Sequence, residues 1–388
     1  MAQRWLILAA LTLARTSMGF QFQVVTAAGT DLAGALSLSN TALGLLIGLY
    51  LLPGVALAIP GGWLGQRFGD KQVVLAGLTM MAAGVALAVL GANWPALVAG
   101  RVLSGIGAVL LNVLLTKMVA DWFASRDLPF AMGVLILSWP LGIALAMVTL
   151  PSVTVLTGWQ IPFLATGAVA MLCLLLVWRV YRPAGPAPTA PGALRLSLSR
   201  TELVMSLLAG LVWSLYNASL IAILSFGPAF LVAGGADPVA AQATVSTVSW
   251  LILPTLATAG WVAAKLNRPD AILAGGLAIT AGLIFLLPQS GGSLMLFAVI
   301  GFLFGLPGPV IMTLPVEAVA PERRGVGIGI FFTLNYLGMA VAGPLGGWLH
   351  DTTGSPAAPI WFAGVALVLA LVPLAMFRAL QRRPLVHP

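Results

Sequence analysis

Charge is what this sequence lacks. Asp, Glu, Lys and Arg make up only 7% of its 388 residues, and the acids number just 10. A soluble domain carries about 25% charged residues, because water must wet its whole surface. Cysteine is nearly missing too: Cys173 has no intrachain partner, so no disulfide can staple the chain. The two histidines, His350 and His387, belong to no H-E-x-x-H motif or paired Cys/His set. The Gly-Lys-Ser/Thr phosphate loop is absent as well, which argues against ATP hydrolysis. Soluble enzymes, disulfide scaffolds and disordered regulators are therefore excluded. No catalytic residues, cofactor or metal site are expected.

What is present is apolar. Hydrophobic residues make up 60% of the chain, and mean hydropathy is +1.06. A spanning helix needs about 20 apolar residues, or about 30 with its loop, so this length holds roughly twelve. Apolar runs lie near 5–27, 41–64, 73–92, 95–118, 129–150, 161–181, 202–223, 239–263, 271–288, 293–316, 326–349 and 359–377. Long runs of this kind are helices, since a barrel would show short alternating strands. The fold class expected is an all-α membrane protein of twelve transmembrane helices in two pseudo-symmetric six-helix bundles. Residues 1–181 form the first bundle, the Pro-rich basic stretch 182–200 a cytoplasmic linker, and 201–388 the second bundle. The opening Met1–Arg4 and apolar Trp5–Ala14 imitate a signal peptide, but Arg15 stands where a small-residue cleavage site would be needed.

The cations orient the helices. With the N-terminus in the cytoplasm, the inner loops and helix ends receive Arg4, Arg67, Lys71, Lys117, Arg126, Arg179, Arg182, Arg195, Arg200, Lys265, Arg268, Arg323, Arg324, Arg378, Arg382 and Arg383. The outer loops receive none, as the positive-inside rule requires. Both termini are then cytoplasmic, and the chain belongs in an inner membrane. The net charge of +8 reads as topology, with no nucleic-acid partner implied. Six helices on each side of one basic loop fit two related halves with a substrate site near mid-bilayer between them. Gly62-Trp63 with Arg67 after span 2 is echoed by Gly260-Trp261 with Lys265 after span 8.

The span 2–3 loop, G-W-L-G-Q-R-F-G-D-K from Gly62 to Lys71, resembles the signature loop of the major facilitator superfamily. Gly62, Leu64, Arg67, Gly69 and Lys71 match its pattern, while Gln66 replaces the usual Asp and Asp70 stands where a cation is common. The resemblance implies a gating role for this loop, with a weaker charge latch because Gln66 is neutral. Gly100–Ala108 and Ala342–Asp351 resemble further elements of the same superfamily, and Ser138–Ile143 departs from its common antiporter motif. Lys117–Asp127 is similar to the small-anion porters for nitrate and small carboxylates, and an arginine in span 1 to the cyanate-type branch. The function implied is alternating-access transport of a small, anionic solute by a monomer, with protons as a possible second partner. Efflux of apolar or amphipathic compounds, and a non-transporting receptor or scaffold on the same fold, stand as alternatives.

Two arginines remain inside spans, Arg15 and Arg101. A charge at the bilayer centre costs at least about 2.5 kcal/mol, so such residues are functional candidates by default. Helical spacing puts Gly19, Phe22, Gln23 and Thr26 on the face of Arg15, and Gly105, Ala108 and Asn112 on the face of Arg101. A guanidinium suits a small anion through paired hydrogen bonds. The competing reading of each arginine is a structural bond to backbone carbonyls. The resemblance implies that spans 1, 4, 7 and 10 line the cavity. That adds Trp213, Tyr216 and Asn217 on span 7, and span 11 adds Asn335 and Tyr336. No Asp or Glu lies at mid-depth; Glu317, near the inner end of span 10, is a coupling candidate or a partner of Arg323 or Arg324.

Overall fold

The computed structural model describes residues 2–58, 60–123, 127–183, 198–320 and 323–382. Arg126, Arg195, Arg383, His387 and most of the linker lie outside the described residues. The long helices are α1 (Ala2–Phe22), α2 (Asn40–Leu57), α3 (Asp70–Gly91), α4 (Trp94–Phe123), α5 (Leu128–Thr157) and α6 (Gln160–Val180). The second set is α7 (Arg200–Ala233), α8 (Pro238–Leu266), α9 (Pro269–Leu286), α10 (Leu294–Ala318), α11 (Arg324–Thr353) and α12 (Ala358–Gln381). Among the described residues, 11 of these are long and apolar enough to cross a membrane. The twelfth, α1, is diluted by Gln3, Arg4, Arg15 and Gln21, yet it packs inside the bundle against α5 and α6.

Local chemistry sets the ends. Ser199 and Glu202 form a capping box at the start of α7, Ser199 Oγ accepting from the Glu202 amide at 3.2 Å. Gly69, at φ +88°, makes the turn between the short helix Pro60–Phe68 and α3. A side chain there would be strained, which accounts for glycine at this point of the loop. The outer surface is apolar: Leu90, Leu156 and Met295 are 85%, 83% and 75% exposed. Water would not tolerate such a surface, whereas lipid tails do.

Packing repeats with a period of six helices. Helix α1 packs on α5 and α6 as α7 packs on α11 and α12, and α3 packs on α4 and α6 as α9 packs on α10 and α12. The halves meet through α2 against α11 and α5 against α8. The α2/α11 crossing is very close, because Cβ atoms at Gly44 and Gly343 would each overlap the other's carbonyl. Small residues at such crossings let backbones approach in a bilayer. Asp351 at the end of α11 then caps α2, accepting from the Thr41 amide at 2.8 Å and Thr41 Oγ1 at 2.6 Å.

Candidate functional site

The start of α1 and the end of α12 lie on one face of the bundle, called here the face of the chain ends, and the α1–α2 and α11–α12 connections lie on the far face. Among the described residues, the hydrogen bonds joining the halves lie toward the far face or at mid-depth. Gln23 Nε2 donates to the Leu224 carbonyl at 3.1 Å, Gln242 Nε2 to the Thr26 carbonyl at 2.9 Å, and Asp351 holds Asn40 and Thr41. At mid-depth Asn112 Nδ2 donates to the Tyr336 hydroxyl at 2.9 Å. The far face is therefore sealed.

Arg15 stands in this central zone, about 20 Å along α1 from its start. It is half-buried, and Nε donates to Asn112 Oδ1 at 2.8 Å while Nη1 donates to the Leu135 carbonyl at 2.5 Å. No carboxylate is paired with it among the described residues. A chain thus runs from Arg15 through Asn112 to Tyr336, linking α1 and α4 of one half to α11 of the other. Tyr336 reaches this position because its ring rests on Gly54 of α2, where a Cβ would collide with it. Its neighbour Asn335 accepts from Asn217 Nδ2 at 3.0 Å, and Asn217 also donates to the Trp213 carbonyl at 2.9 Å. These residues from α1, α4, α7 and α11 make one polar strip through the middle of the molecule.

Other expected site residues sit elsewhere. Arg101 is 3% exposed and donates to the carbonyls of Leu46 at 2.9 Å, Gln21 at 3.2 Å and Phe22 at 3.3 Å, over the Tyr50 ring. It is a clamp of α4 onto the end of α1 and onto α2, about 16 Å along α4 from Asn112. Replacing Arg101 by leucine strands three carbonyls in an apolar interior. A melting midpoint lower by on the order of 5 °C is expected in nanodiscs, and an unchanged one rules the clamp out. Gly19 packs against the Trp139 carbonyl of α5, so it serves helix approach. Gln23 is fully buried in the far-face seal. Tyr216 spends its hydroxyl on the Phe304 carbonyl at 2.5 Å, within a column where Trp213 stacks on Tyr216 and on Phe331.

The signature loop lies on the face with the chain ends. Gly62 faces open space, Gln66 and Arg67 are exposed, and the Arg67 guanidinium covers the Trp63 ring. Asp70 pairs with Lys117 of α4, and Lys71 donates to the carbonyls of Trp178 at 2.7 Å and Tyr181 at 2.9 Å. Asp70 thus supplies the carboxylate that the neutral Gln66 does not. Glu317 corrects one expectation: its partner is Arg378 of α12 at 2.5 Å, which also holds Asp270 at 2.7 Å. Arg323 goes instead to Glu202 at 3.0 Å. The α10–α12 packing carries Arg378 to Glu317, a pairing that sequence distance conceals.

Sequence reasoning missed Gly54, Leu135 and Asp351. Pro140 inside α5 leaves the Ile136 carbonyl without its helix donor, and Ser138 Oγ donates to the Leu135 carbonyl at 2.5 Å, so an irregular, polar turn at this point was the available signal.

Comparison with known proteins agrees with this architecture. The family model described as Major Facilitator Superfamily matches residues 10–234 and 203–388. The chain belongs to the major facilitator superfamily. It is 27% identical to the inner membrane transport protein YajR of Escherichia coli (strain K12), over 89% of this chain and 78% of that one. It is 23% identical to the hexuronate transporter of Bacillus subtilis (strain 168), over 88% and 87%. The crystal structure of a mutant of the nucleoside transporter NupG superposes with a TM-score of 0.74 at 16% identity, over 96% of this chain and all of that one, so it shares the fold. This superfamily member is a multi-pass membrane transporter of small molecules.

Proposed function

We propose that this transporter carries a small anion across an inner membrane by alternating access, as a monomer with both termini cytoplasmic. Arg15 carries the reading: a half-buried cation at mid-depth, held only by neutral oxygens, with no carboxylate partner among the described residues. A buried cation without a counter-charge favours an anionic visitor, because the low surrounding dielectric strengthens their attraction. Asn112, Tyr336, Asn335 and Asn217 would add uncharged hydrogen bonds, and Trp213 an aromatic wall. Arg101 is left to the clamp. The likeness to small-anion porters seen in Lys117–Asp127 points the same way, and hexuronate, the solute named for one relative, is a carboxylate. The cations gathered on the face of the chain ends favour a cytoplasmic position for that face.

In this conformer the far face is sealed and the cross-half bond at Asn112–Tyr336 is made. Transport then requires the α2/α11 and α5/α8 contacts to rearrange while Arg15 stays with its own half. With no mid-depth acid described, transport is either uncoupled from protons or coupled through the substrate's own proton or the Glu317–Arg378 group at the cytoplasmic edge. The test is uptake into proteoliposomes of radiolabelled cyanate, nitrate, acetate and glucuronate beside uncharged glucose and cationic choline. Saturable uptake of at least one anion, with none of choline, is expected. Uptake of choline or glucose in preference to every anion would refute the reading. An imposed pH gradient reads proton coupling in the same vesicles.

A further inference from the structure

The two halves repeat with a shift of 198 residues. Gly62, Trp63 and Arg67 recur as Gly260, Trp261 and Lys265, and in both places the cation covers the ring, at 5.3 Å and 4.8 Å. Helices α1 and α7, beginning at Ala2 and Arg200, keep that shift, as do α6 and α12, beginning at Gln160 and Ala358. The same shift carries Arg15 onto Trp213. Each lies about 20 Å along its helix from the face of the chain ends. Halves related by an axis along the membrane normal place equivalent residues at one depth, on opposite sides of that axis. Trp213 is therefore the counterpart of Arg15 on the other wall of the mid-depth strip.

Both walls hold open polar atoms. Arg15 uses Nε and Nη1, whereas Nη2 has no partner among the described residues and is not enclosed by protein. Trp213 is half-buried, and its indole Nε1 has no acceptor among the described residues and keeps some exposure. Stacking on Tyr216 at 10° and on Phe331 at 14° fixes the plane of that indole. One turn along α7, Asn217 gives Nδ2 to the Trp213 carbonyl and to Asn335 Oδ1, which leaves its own Oδ1 open as an acceptor. A free donor and a free acceptor one turn apart match a single hydroxyl group, which both accepts and donates. Among the described residues no second unpartnered cation stands at this depth, since Arg101 is fixed on three carbonyls. Arg15, Trp213 and Asn217 are separate from the far-face cavity of about 480 Å³ that Ile47 and Pro151 line, so they are reached from the face of the chain ends.

We propose, resting on the anion reading above, that the substrate is an aromatic monocarboxylate with a hydroxyl group on its ring. Its carboxylate pairs with Arg15 Nη2, its ring meets the edge of the Trp213 indole, and its hydroxyl sits between Trp213 Nε1 and Asn217 Oδ1. The positive edge of one aromatic ring attracts the face of another, a face that a sugar ring does not offer. A sugar acid also brings several hydroxyls to a wall with one donor–acceptor pair, and each one left unpaired costs affinity.

Titration calorimetry on the full chain in nanodiscs tests this with 4-hydroxyphenylacetate, phenylacetate, cyclohexylacetate, glucuronate and the cation tyramine. Affinity should fall roughly three- to tenfold when the hydroxyl is lost, and again when the ring is saturated. Glucuronate should bind more weakly than these three, and tyramine not at all. Trp213→Phe keeps a ring in the stack but removes the N–H, so it should shrink the preference for 4-hydroxyphenylacetate over phenylacetate alone. Trp213→Leu should also remove the preference for phenylacetate over cyclohexylacetate. Retained cyclohexylacetate binding shows that both variants fold. Equal affinity for phenylacetate, cyclohexylacetate and glucuronate, all lost in Arg15→Ala, overturns the aromatic substrate and leaves the anion site standing. So do preferences that both Trp213 variants leave unchanged. Tyramine binding as tight as 4-hydroxyphenylacetate, or carboxylate binding untouched by Arg15→Ala, overturns both readings. Failure of every aromatic carboxylate to bind overturns this proposal, while anion uptake into proteoliposomes judges the anion site separately.

Discussion

Replacing Arg15 by alanine is expected to cut anion uptake by roughly 10- to 100-fold, the equivalent of about 1.5–3 kcal/mol for a charge-assisted hydrogen bond. The loss should fall on anions alone, since the guanidinium has nothing to offer an uncharged solute beyond what Asn112 supplies. Arg15→Lys keeps the charge but loses the planar fork, so intermediate activity is expected. Arg15 also braces Asn112 through its 2.8 Å bond, so a purely structural loss has to be separated from lost binding. Tyr336→Phe does this. The ring still fills the notch at Gly54, while the hydroxyl bonded to Asn112 is gone. If Arg15 binds the anion directly, Tyr336→Phe, which removes one uncharged bond, weakens the apparent anion affinity far less than Arg15→Ala does. If Arg15 only braces the cross-half bond, the two variants behave alike. Wild-type uptake by a folded Arg15→Ala protein sinks the anion site altogether.

The parts of this molecule legible in the sequence are those that single residues or local runs decide. Hydropathy located the spans, since twenty apolar residues in a row have one stable place. Scarcity of charge made Arg15 and Arg101 conspicuous before any contact was known. Their fates could not be told apart, because both look alike as a cation among leucines. What separates them is the end of α1, which turns the Gln21 and Phe22 carbonyls toward Arg101. Among the described residues Arg15 donates to one backbone carbonyl and one amide oxygen, so it keeps the looser setting. Partners across the halves were invisible for a related reason. Asn112 and Tyr336 are 224 residues apart, and nothing local in either helix selects the other. Gly54 is silent in the sequence because its function is to lack a side chain. For Glu317 sequence offers only the nearby Arg323 and Arg324 as partners beside a coupling role, yet helix packing delivers Arg378, 61 residues on.

The α2/α11 crossing yields the largest conformational prediction. Gly44 and Gly343 lie backbone to backbone, and neither can carry a Cβ without displacing the other's carbonyl. Gly44→Val should therefore pry the helices apart at the far face without changing any side chain of the mid-depth strip. Forcing a side chain into such a contact costs about 1–3 kcal/mol, which shifts the balance between sealed and open states roughly 5- to 150-fold. Ile47 reports that shift, because it lines the far-face cavity and is only 3% exposed in the sealed state. With Cys173 changed to serine, Ile47→Cys offers one thiol to a membrane-impermeant maleimide added from the far side. Its labelling rate should rise with Gly44→Val and again with Gly343→Val. Gly282→Val is the matched control, since a Cβ there meets nothing. Equal labelling in all three would mean that this crossing does not gate the far face. Net uptake should fall in the Gly44 variant although its mid-depth residues are untouched, because a carrier resting open on one side returns slowly. A loss of transport with wild-type anion affinity thus marks the seal, whereas a loss with weakened affinity marks Arg15.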